Sequence, residues 1–155
     1  MDPIRRFTDN GRLEPFRIER AQLAQHVRAA YQDLAEARAT FPVSDRAAYV
    51  FAYTAMLKIG RAVLFLHGYR PKGFGQHETV VEAAGALLGK GFAALTERFD
   101  RMRRKRNLLI YEVGGLLSHA DADTAFKTAE QYLDKVRDHL ERQDPQLRFE
   151  FRPPA

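Results

Sequence analysis

The sequence contains no cysteine. Disulfide bonds, thiolate zinc sites and a cysteine nucleophile are therefore excluded, and this composition is typical of a reducing compartment. Only two serines occur, Ser44 and Ser118; neither lies in a GxSxG motif, and both are placed as helix caps. No apolar run approaches about 18 residues, and the opening MDPIRRFTDN lacks an apolar signal-peptide core. We therefore expect a cytoplasmic protein without membrane association.

Two motifs that would indicate catalysis or phosphate binding are incomplete. HETVV, which begins at His77 and Glu78, starts like HExxH but has no second histidine, and the five histidines share no ligand spacing. We therefore expect no metal and no cofactor. GYRPKGFG has the glycine spacing of a P-loop, but Phe74 and Gly75 stand where lysine and serine or threonine belong.

Each of these two segments has a simple structural interpretation and a functional alternative. GYRPKGFG is typical of a turn between helices, in which Arg70 and Lys72 could add contacts to phosphate. His77 and Glu78 fit the first turn of a helix, where an acid is favourable against the helix dipole. A supporting role for both at a functional site is the alternative.

Apolar residues recur at helical spacing through most of the 155 residues. The pattern predicts helices over about 17–39, 45–67, 77–88 and 91–112, and a fifth that starts near Asp121 or Asp123 and ends before Asp144. The second is apolar on all sides and should be the central one. We predict an all-α, up-and-down antiparallel bundle of about five helices. It forms a single domain over 1–155, with its core at about 17–142 and flexible or extended tails.

Positive charge is concentrated in one segment, RMRRKRNLLIYE, at residues 101–112. The net charge is +5, from 25 Lys and Arg against 20 Asp and Glu. The cations of this segment equal that whole excess: Arg101, Arg103, Arg104, Lys105 and Arg106. Such a patch is typical of a protein that binds a polyanion, because each neutralised phosphate releases counterions. A solvated basic helix end is the alternative interpretation.

One of these cations lies in an apolar stripe. The stripe follows helical steps of four and three along Leu95, Phe99, Met102, Arg106, Leu109 and Val113. An arginine that faces a core must find an anionic or carbonyl partner or reach water, since a buried unpaired charge is strongly unfavourable. Arg106 could extend past the stripe to water, pair with Glu78 or Glu82, or meet a phosphate in a cleft or subunit interface. Asn107 and Tyr111 lie four residues apart beside it.

The segments RRKRNLLIYE, TAFKTAEQYLDKVRDHL and HGYRPKGFGQHETVVEA resemble small bacterial members of the HEPN superfamily, the higher eukaryotes and prokaryotes nucleotide-binding domains. The resemblance covers roughly residues 20–142. It implies a helical bundle that forms a homodimer and carries, at the interface, an arginine followed after four to six residues by a histidine. In the family this motif is the centre of a metal-independent ribonuclease. Many members act as toxins or pair with a small nucleotidyltransferase, and others bind RNA or nucleotides without catalysis.

Carried onto this sequence, the motif arginine is Arg106, the polar residue is Asn107, and the histidine position falls on Tyr111. His119 lies thirteen residues beyond Arg106, too far to serve within the motif. A phenol has a pKa near 10 and is a poor base at neutral pH, so we expect RNA or nucleotide binding with weak or absent cleavage. Tyr111 could instead pack in the core or accept a nucleotidyl group. The alternative function is a noncatalytic module whose basic helix docks an acidic protein.

Overall fold

The computed structural model describes residues 2–113 and 116–151. Gly114 and Gly115, where the sequence predicts a break, and residues 152–155 lie outside the described residues. The elements in chain order are α1 (Arg5–Asp9), β1 (Leu13–Pro15), α2 (Arg20–Thr40), α3 (Asp45–Leu66), β2 (Tyr69–Pro71), α4 (Gln76–Leu88), a 3-10 turn (Lys90–Phe92), α5 (Ala93–Tyr111), α6 (His119–Gln143) and α7 (Leu147–Phe151). The five helices α2 to α6 confirm the predicted all-α bundle.

Four of the long helices alternate in direction. Near the middle of α2 and α3, Asp33 pairs with Lys58 at 2.7 Å, whereas the earlier His26 packs on the later Phe65. The two helices are therefore antiparallel. The contacts between α3 and α5, and those between α5 and α6, show that these pairs of helices are antiparallel as well. Short connections permit this arrangement, which places α5 between α3, α4 and α6.

Both serines cap helices as predicted. The hydroxyl of Ser44 accepts from the backbone N–H of Ala47 at 3.1 Å and starts α3. Ser118 accepts from the N–H of Asp121 at 3.0 Å, and the Asp121 carboxylate accepts from the N–H of Ser118 at 3.2 Å. This reciprocal capping box starts α6 at His119. The prediction of Asp121 or Asp123 as the cap was wrong, because Asp121 already occupies the third helical position.

The central helix α3 is buried along most of its length, as predicted. It is also long and apolar enough, by length and composition alone, to cross a membrane, which corrects the expectation that no segment reaches that threshold. In the most apolar stretch of α3, 61% of the residues are buried inside the bundle. The core helix of a globular protein has the same composition.

Both described ends of the chain pack on the bundle. Ile4, Phe7 and Leu13 from the N-terminal segment and Leu147 from α7 are buried in the same apolar cluster as the long helices. β1 pairs with β2 in a two-stranded antiparallel sheet that ties the N-terminal segment to the end of α3. The core therefore extends beyond 17–142, and the described tails are packed. The segment after residue 142, predicted as a flexible or extended tail, contains helix α7, in which Leu147 is buried.

Candidate phosphate-binding site on helix α5

Arg106 lies half-buried on α5, in the apolar stripe where the sequence placed it. Its Nη1 donates to Oδ1 of Asn107 at 3.3 Å, and its Nε is buried without a hydrogen-bond partner among the described residues. The guanidinium carbon lies 5.9 Å from the centre of the Tyr53 ring, at the outer limit of a cation–π contact. In the described part of the chain, no carboxylate pairs with this arginine.

The predicted partners of Arg106 are engaged or exposed elsewhere. Glu82 accepts from Nη1 of Arg12 at 3.0 Å, and the same arginine donates from Nε to Thr79 at 3.0 Å. Glu78 is exposed on the first turn of α4. An ion pair with Glu78 or Glu82 therefore does not account for Arg106 in the described structure.

Tyr53 and the partly buried His77 form a polar pair beside Arg106. The Tyr53 side chain is fully buried in α3, and its hydroxyl lies 3.0 Å from Nδ1 of His77 on the first turn of α4. Burial raises the pKa of Tyr53, so the phenol keeps its proton at neutral pH. Since the hydroxyl meets Nδ1, the other ring nitrogen of His77 is left for other partners. The helices thus bring a histidine to Arg106 from a segment 29 residues earlier in the chain.

The electrostatic field around His77 is strongly positive. Burial lowers its pKa, and Arg106, Arg61 and Arg103 lower it further. His77 is therefore neutral at pH 7 near three guanidinium groups, of which Arg103 is paired with the Asp100 carboxylate. Burial also lowers the pKa of Arg61. A concentration of positive charge around a neutral imidazole is suited to binding an oxyanion.

The other predicted cations on α5 do not act as one patch. The Asp100 carboxylate accepts from Nε of Arg103 at 3.1 Å and lies 3.5 Å from Nη2 of Arg104. Lys105 donates to the backbone carbonyl of Leu116, and Arg101 lines a separate cleft toward α6. Neighbouring cations therefore have different partners, because successive residues of a helix point in different directions.

Arg70 and Lys72 lie on a different element from this cluster. Arg70 is in β2, where its Nε donates to Glu14 of β1 at 2.6 Å and its guanidinium packs over the Phe16 ring at 4.9 Å. Lys72 is exposed, and its backbone N–H donates to the Arg12 carbonyl at 3.0 Å. No hydrogen bond or ion pair among the described residues joins either side chain to α5.

Tyr111 is 74% exposed at the last residue of α5, so the interpretation as core packing was wrong. Val113, predicted to continue the apolar stripe, is fully exposed because the helix has already ended. Leu108, Ile110 and Leu116 are also exposed, and we call this stretch of exposed apolar residues at the end of α5 the α5 tip. Tyr111 is thus open to solvent, whereas Arg106 lies near the Tyr53 ring.

Sequence reasoning missed Tyr53 and Arg61 as members of the site. Tyr53 has the composition of a core aromatic and gives no signal of its own. Arg61 did carry a signal, because it and Lys58 are the only charges in the apolar part of α3. Lys58 is accounted for by Asp33, whereas Arg61 forms no ion pair among the described residues. Arg61 therefore remained as a charged residue in an apolar helix without an ion-pair partner in the described structure, and this made it a candidate for the functional site.

Comparison of the chain with family models, with curated proteins and with solved structures finds no match in any of the three. Within residues 2–113 and 116–151, no three histidine, aspartate or glutamate side chains lie close enough together to hold a metal ion.

Proposed function

We propose that this protein binds RNA, and that a phosphate of the RNA backbone lies at a site formed by Arg106, Arg61 and His77. The observation that carries the proposal is the Arg106 guanidinium, half-buried with no carboxylate partner in the described structure and with one buried N–H unpaired. A phosphate oxygen would accept from the terminal N–H groups of this guanidinium in a charge-assisted hydrogen bond. The sequence resemblance of RRKRNLLIYE to the HEPN motif supports the part of this assignment that concerns Arg106.

The binding test compares arginines in different environments. Arg106→Ala should weaken binding of a labelled single-stranded RNA by about tenfold or more, since a desolvated charge-assisted contact is lost. Arg104→Ala removes an exposed cation from the same helix, and should lower affinity only slightly and reduce the salt slope by less than about one unit. Arg106→Lys should restore the salt slope but not the affinity, because an ammonium group lacks the planar fork.

One variant separates this proposal from a purely structural role. If Arg106→Met raises the melting temperature and retains full RNA binding, Arg106 is only a tolerated polar group in the core. If the wild-type protein binds no RNA even at low salt, the basic helix would instead suit an acidic protein partner.

A metal-independent ribonuclease is the second candidate, and His77 is the observation that favours it. In such a reaction the 2′-oxygen attacks the adjacent phosphorus and gives its proton to Nε2 of His77. The bond to the 5′-oxygen breaks, and that oxygen takes up a proton. The products are a 2′,3′-cyclic phosphate and a 5′-hydroxyl. This role requires the tautomer in which Nδ1–H donates to the Tyr53 oxygen, leaving Nε2 free to accept. Arg106 and Arg61 would stabilise the phosphorane charge.

Cleavage is assayed in EDTA with mass analysis of the new ends. We expect slow wild-type cleavage that His77→Asn and Arg106→Ala abolish and Tyr111→Phe leaves unchanged. Tyr111→His tests whether the family's motif histidine can be restored on α5. Cleavage lost in Tyr111→Phe but kept in His77→Asn would assign the chemistry to the phenol, and cleavage indifferent to all of these changes would exclude this site.

The exposed α5 tip supports a homodimer as part of the proposal. Several large apolar side chains are exposed near this helix end, which is unfavourable in water and favourable in an interface. Light scattering at micromolar concentration should give twice the monomer mass, and Ile110→Glu should shift the protein to monomer. A monomeric wild type would exclude a site shared between two copies.

A further inference from the structure

Two histidines, His67 and His139, pack together where α3 and α6 end. His67 caps the C-terminus of α3, and His139 lies near the C-terminus of α6. Their rings are nearly parallel, at an interplanar angle of 25°, and the ring centres are 6.2 Å apart. Phe92, in the 3-10 turn before α5, packs nearly perpendicular to His139 with its centre also 6.2 Å away. None of these residues belongs to the Arg106 site.

One nitrogen of each imidazole is buried without a partner. Nε2 of His67 and Nε2 of His139 form no hydrogen bond among the described residues. A neutral imidazole carries one N–H, whereas an imidazolium ion carries an N–H on both nitrogens. Protonation would therefore place a charged donor at a buried position that offers no acceptor, which is strongly unfavourable. The packed arrangement thus favours neutral rings.

The charges around the pair act in the same direction. Burial lowers the pKa of both histidines, and His67 and Arg142 lower the pKa of His139 further. The other charged or titratable side chains on the surrounding elements are exposed or have contacts of their own: Lys90 and Asp138 are exposed, Lys135 donates to the Gly91 carbonyl, His26 packs on Phe65, and Arg20, Arg70 and Arg148 pair with Asp144, Glu14 and Glu141. No carboxylate in the described structure forms an ion pair with either imidazole.

His67 is joined directly to the strand that holds the N-terminal segment. Gly68, with a φ of 90°, turns the chain from α3 into β2, and its carbonyl accepts from the N–H of Phe16 at 2.8 Å. β2 then pairs with β1 in the two-stranded sheet. His139 lies within α6 and cannot reach water unless the helix bends, whereas His67 can reach water if the chain pivots at Gly68. Such a movement would displace β2 and its partner strand.

We propose that His67 and His139 form a pH-sensitive switch, in which acidification protonates the pair and releases β1 and β2 from the end of the bundle. Because the pKa of each ring is lowered in the packed form, the released form binds protons more readily. The packed form is therefore fully stabilised above the ordinary histidine pKa of about 6.5, and this stabilisation is lost as the pH falls from there toward the lower values. Each proton taken up raises the ratio of released to packed form by up to about tenfold per pH unit.

Hydrogen exchange of the full chain, followed by mass spectrometry at pH 7 and pH 5 and corrected for intrinsic exchange, tests the switch. Peptides that cover residues 12–16 and 68–72 should open at least about tenfold more often at pH 5, while the centres of α2 and α3 keep their protection. Equal opening of the strands at both pH values would overturn the proposal. Simultaneous loss of protection in every helix would overturn it as well, because the whole protein would then be unfolding.

Variants assign the effect to the two rings. His67→Gln and His139→Gln each replace a titrating ring with a neutral amide, so each should reduce the difference in strand opening several-fold, and the double variant should remove it. His119→Gln, at the other end of α6, is the control and should keep the full difference. An undiminished difference in the double variant would assign the pH dependence to other groups and contradict the switch.

NMR titration of the wild-type protein gives a readout that does not depend on the folding of a variant. The ring signals of His67 and His139 should report neutral imidazoles at pH 7 and should titrate below about pH 6.5, together with the opening of the strands. Titration of both rings while the strands keep their protection would show that the pair is not coupled to the sheet, and the proposal would be wrong.

Discussion

Helix α5 separates two grooves of opposite charge. The groove toward α4, of about 610 Å³, is lined by four carboxylates, from Glu78, Glu82, Glu97 and Asp100, against the cations Lys90 and Arg103. The cleft toward α6 has three cations and one carboxylate. Both surfaces draw on the same basic stretch of sequence. The difference shows that neighbouring helices decide which cations of one run meet acidic side chains and which do not.

The two sides also differ in packing. On the α4 side, a Cβ atom added at Gly85 would lie 2.6 Å from Cγ2 of Thr96 and 3.5 Å from its Cβ, so the helices approach closely there. The Thr96 hydroxyl is buried without a partner among the described residues. On the α6 side, Thr124 is exposed at the edge of an open cleft. We therefore expect added volume to be unfavourable on one side and tolerated on the other.

The largest expected effect comes from adding volume at the close contact. Gly85→Val should lower the free energy of unfolding by about 1–3 kcal/mol, because the added side chain overlaps Thr96 and the two helices must shift to make room. Each kcal/mol corresponds to about 2–4 °C in melting temperature for a chain of this size, measured by circular dichroism. Thr124→Trp serves as the control and should change stability by less than about 0.5 kcal/mol.

A double-mutant cycle sharpens this result. Thr96→Ala removes both the clashing methyl group and the unpaired hydroxyl, so by itself it should be neutral or stabilising. Combined with Gly85→Val, it should recover most of the lost stability. Additive effects in the double variant would show that the close approach of Gly85 and Thr96 is not the cause.

A smaller effect is expected from changing the charge of the α4 groove. Asp100→Asn frees Arg103 and Arg104 from their shared carboxylate. If the protein binds RNA as proposed, its affinity for RNA should increase several-fold. The dependence of this affinity on salt concentration should steepen by up to about one unit for each further phosphate that is neutralised. Glu97→Gln is the matched control, since it removes the same charge from the same groove but forms no ion pair among the described residues. An equal increase in affinity in both variants would indicate only a change in net charge.

The smallest predicted effect is on the pH dependence of stability. The pKa of His77 is lowered in the folded protein, so on acidification the unfolded chain binds this proton first. The contribution of His77 to the free energy of unfolding is fully present above its pKa in the unfolded chain, about 6.5. It is lost as the pH falls from there toward the lower pKa of the folded protein. His77→Gln should therefore lose less unfolding free energy than the wild type between pH 7 and pH 5 in urea titrations. An unchanged pH dependence would contradict the burial of this imidazole.

The sequence predicted the helical elements well, because their signals are local. Ser44 and Ser118 could be recognised as caps, and the apolar residues of α3 indicated the central helix. The predictions were wrong where packing of distant segments decides the structure. The predicted flexible or extended tail contains helix α7, in which Leu147 packs into the core, and Val113 is exposed because α5 ends at Tyr111.

For the candidate site, the sequence by itself determined that α5 carries the excess positive charge and that Arg106 lies in its apolar stripe. Only the tertiary structure decided that Glu82 pairs with Arg12, and that His77 meets Tyr53 beside Arg106. The period of a helix fixes which residues share a face. The packing of other helices determines which charges find partners, and that depends on contacts between residues far apart in the chain.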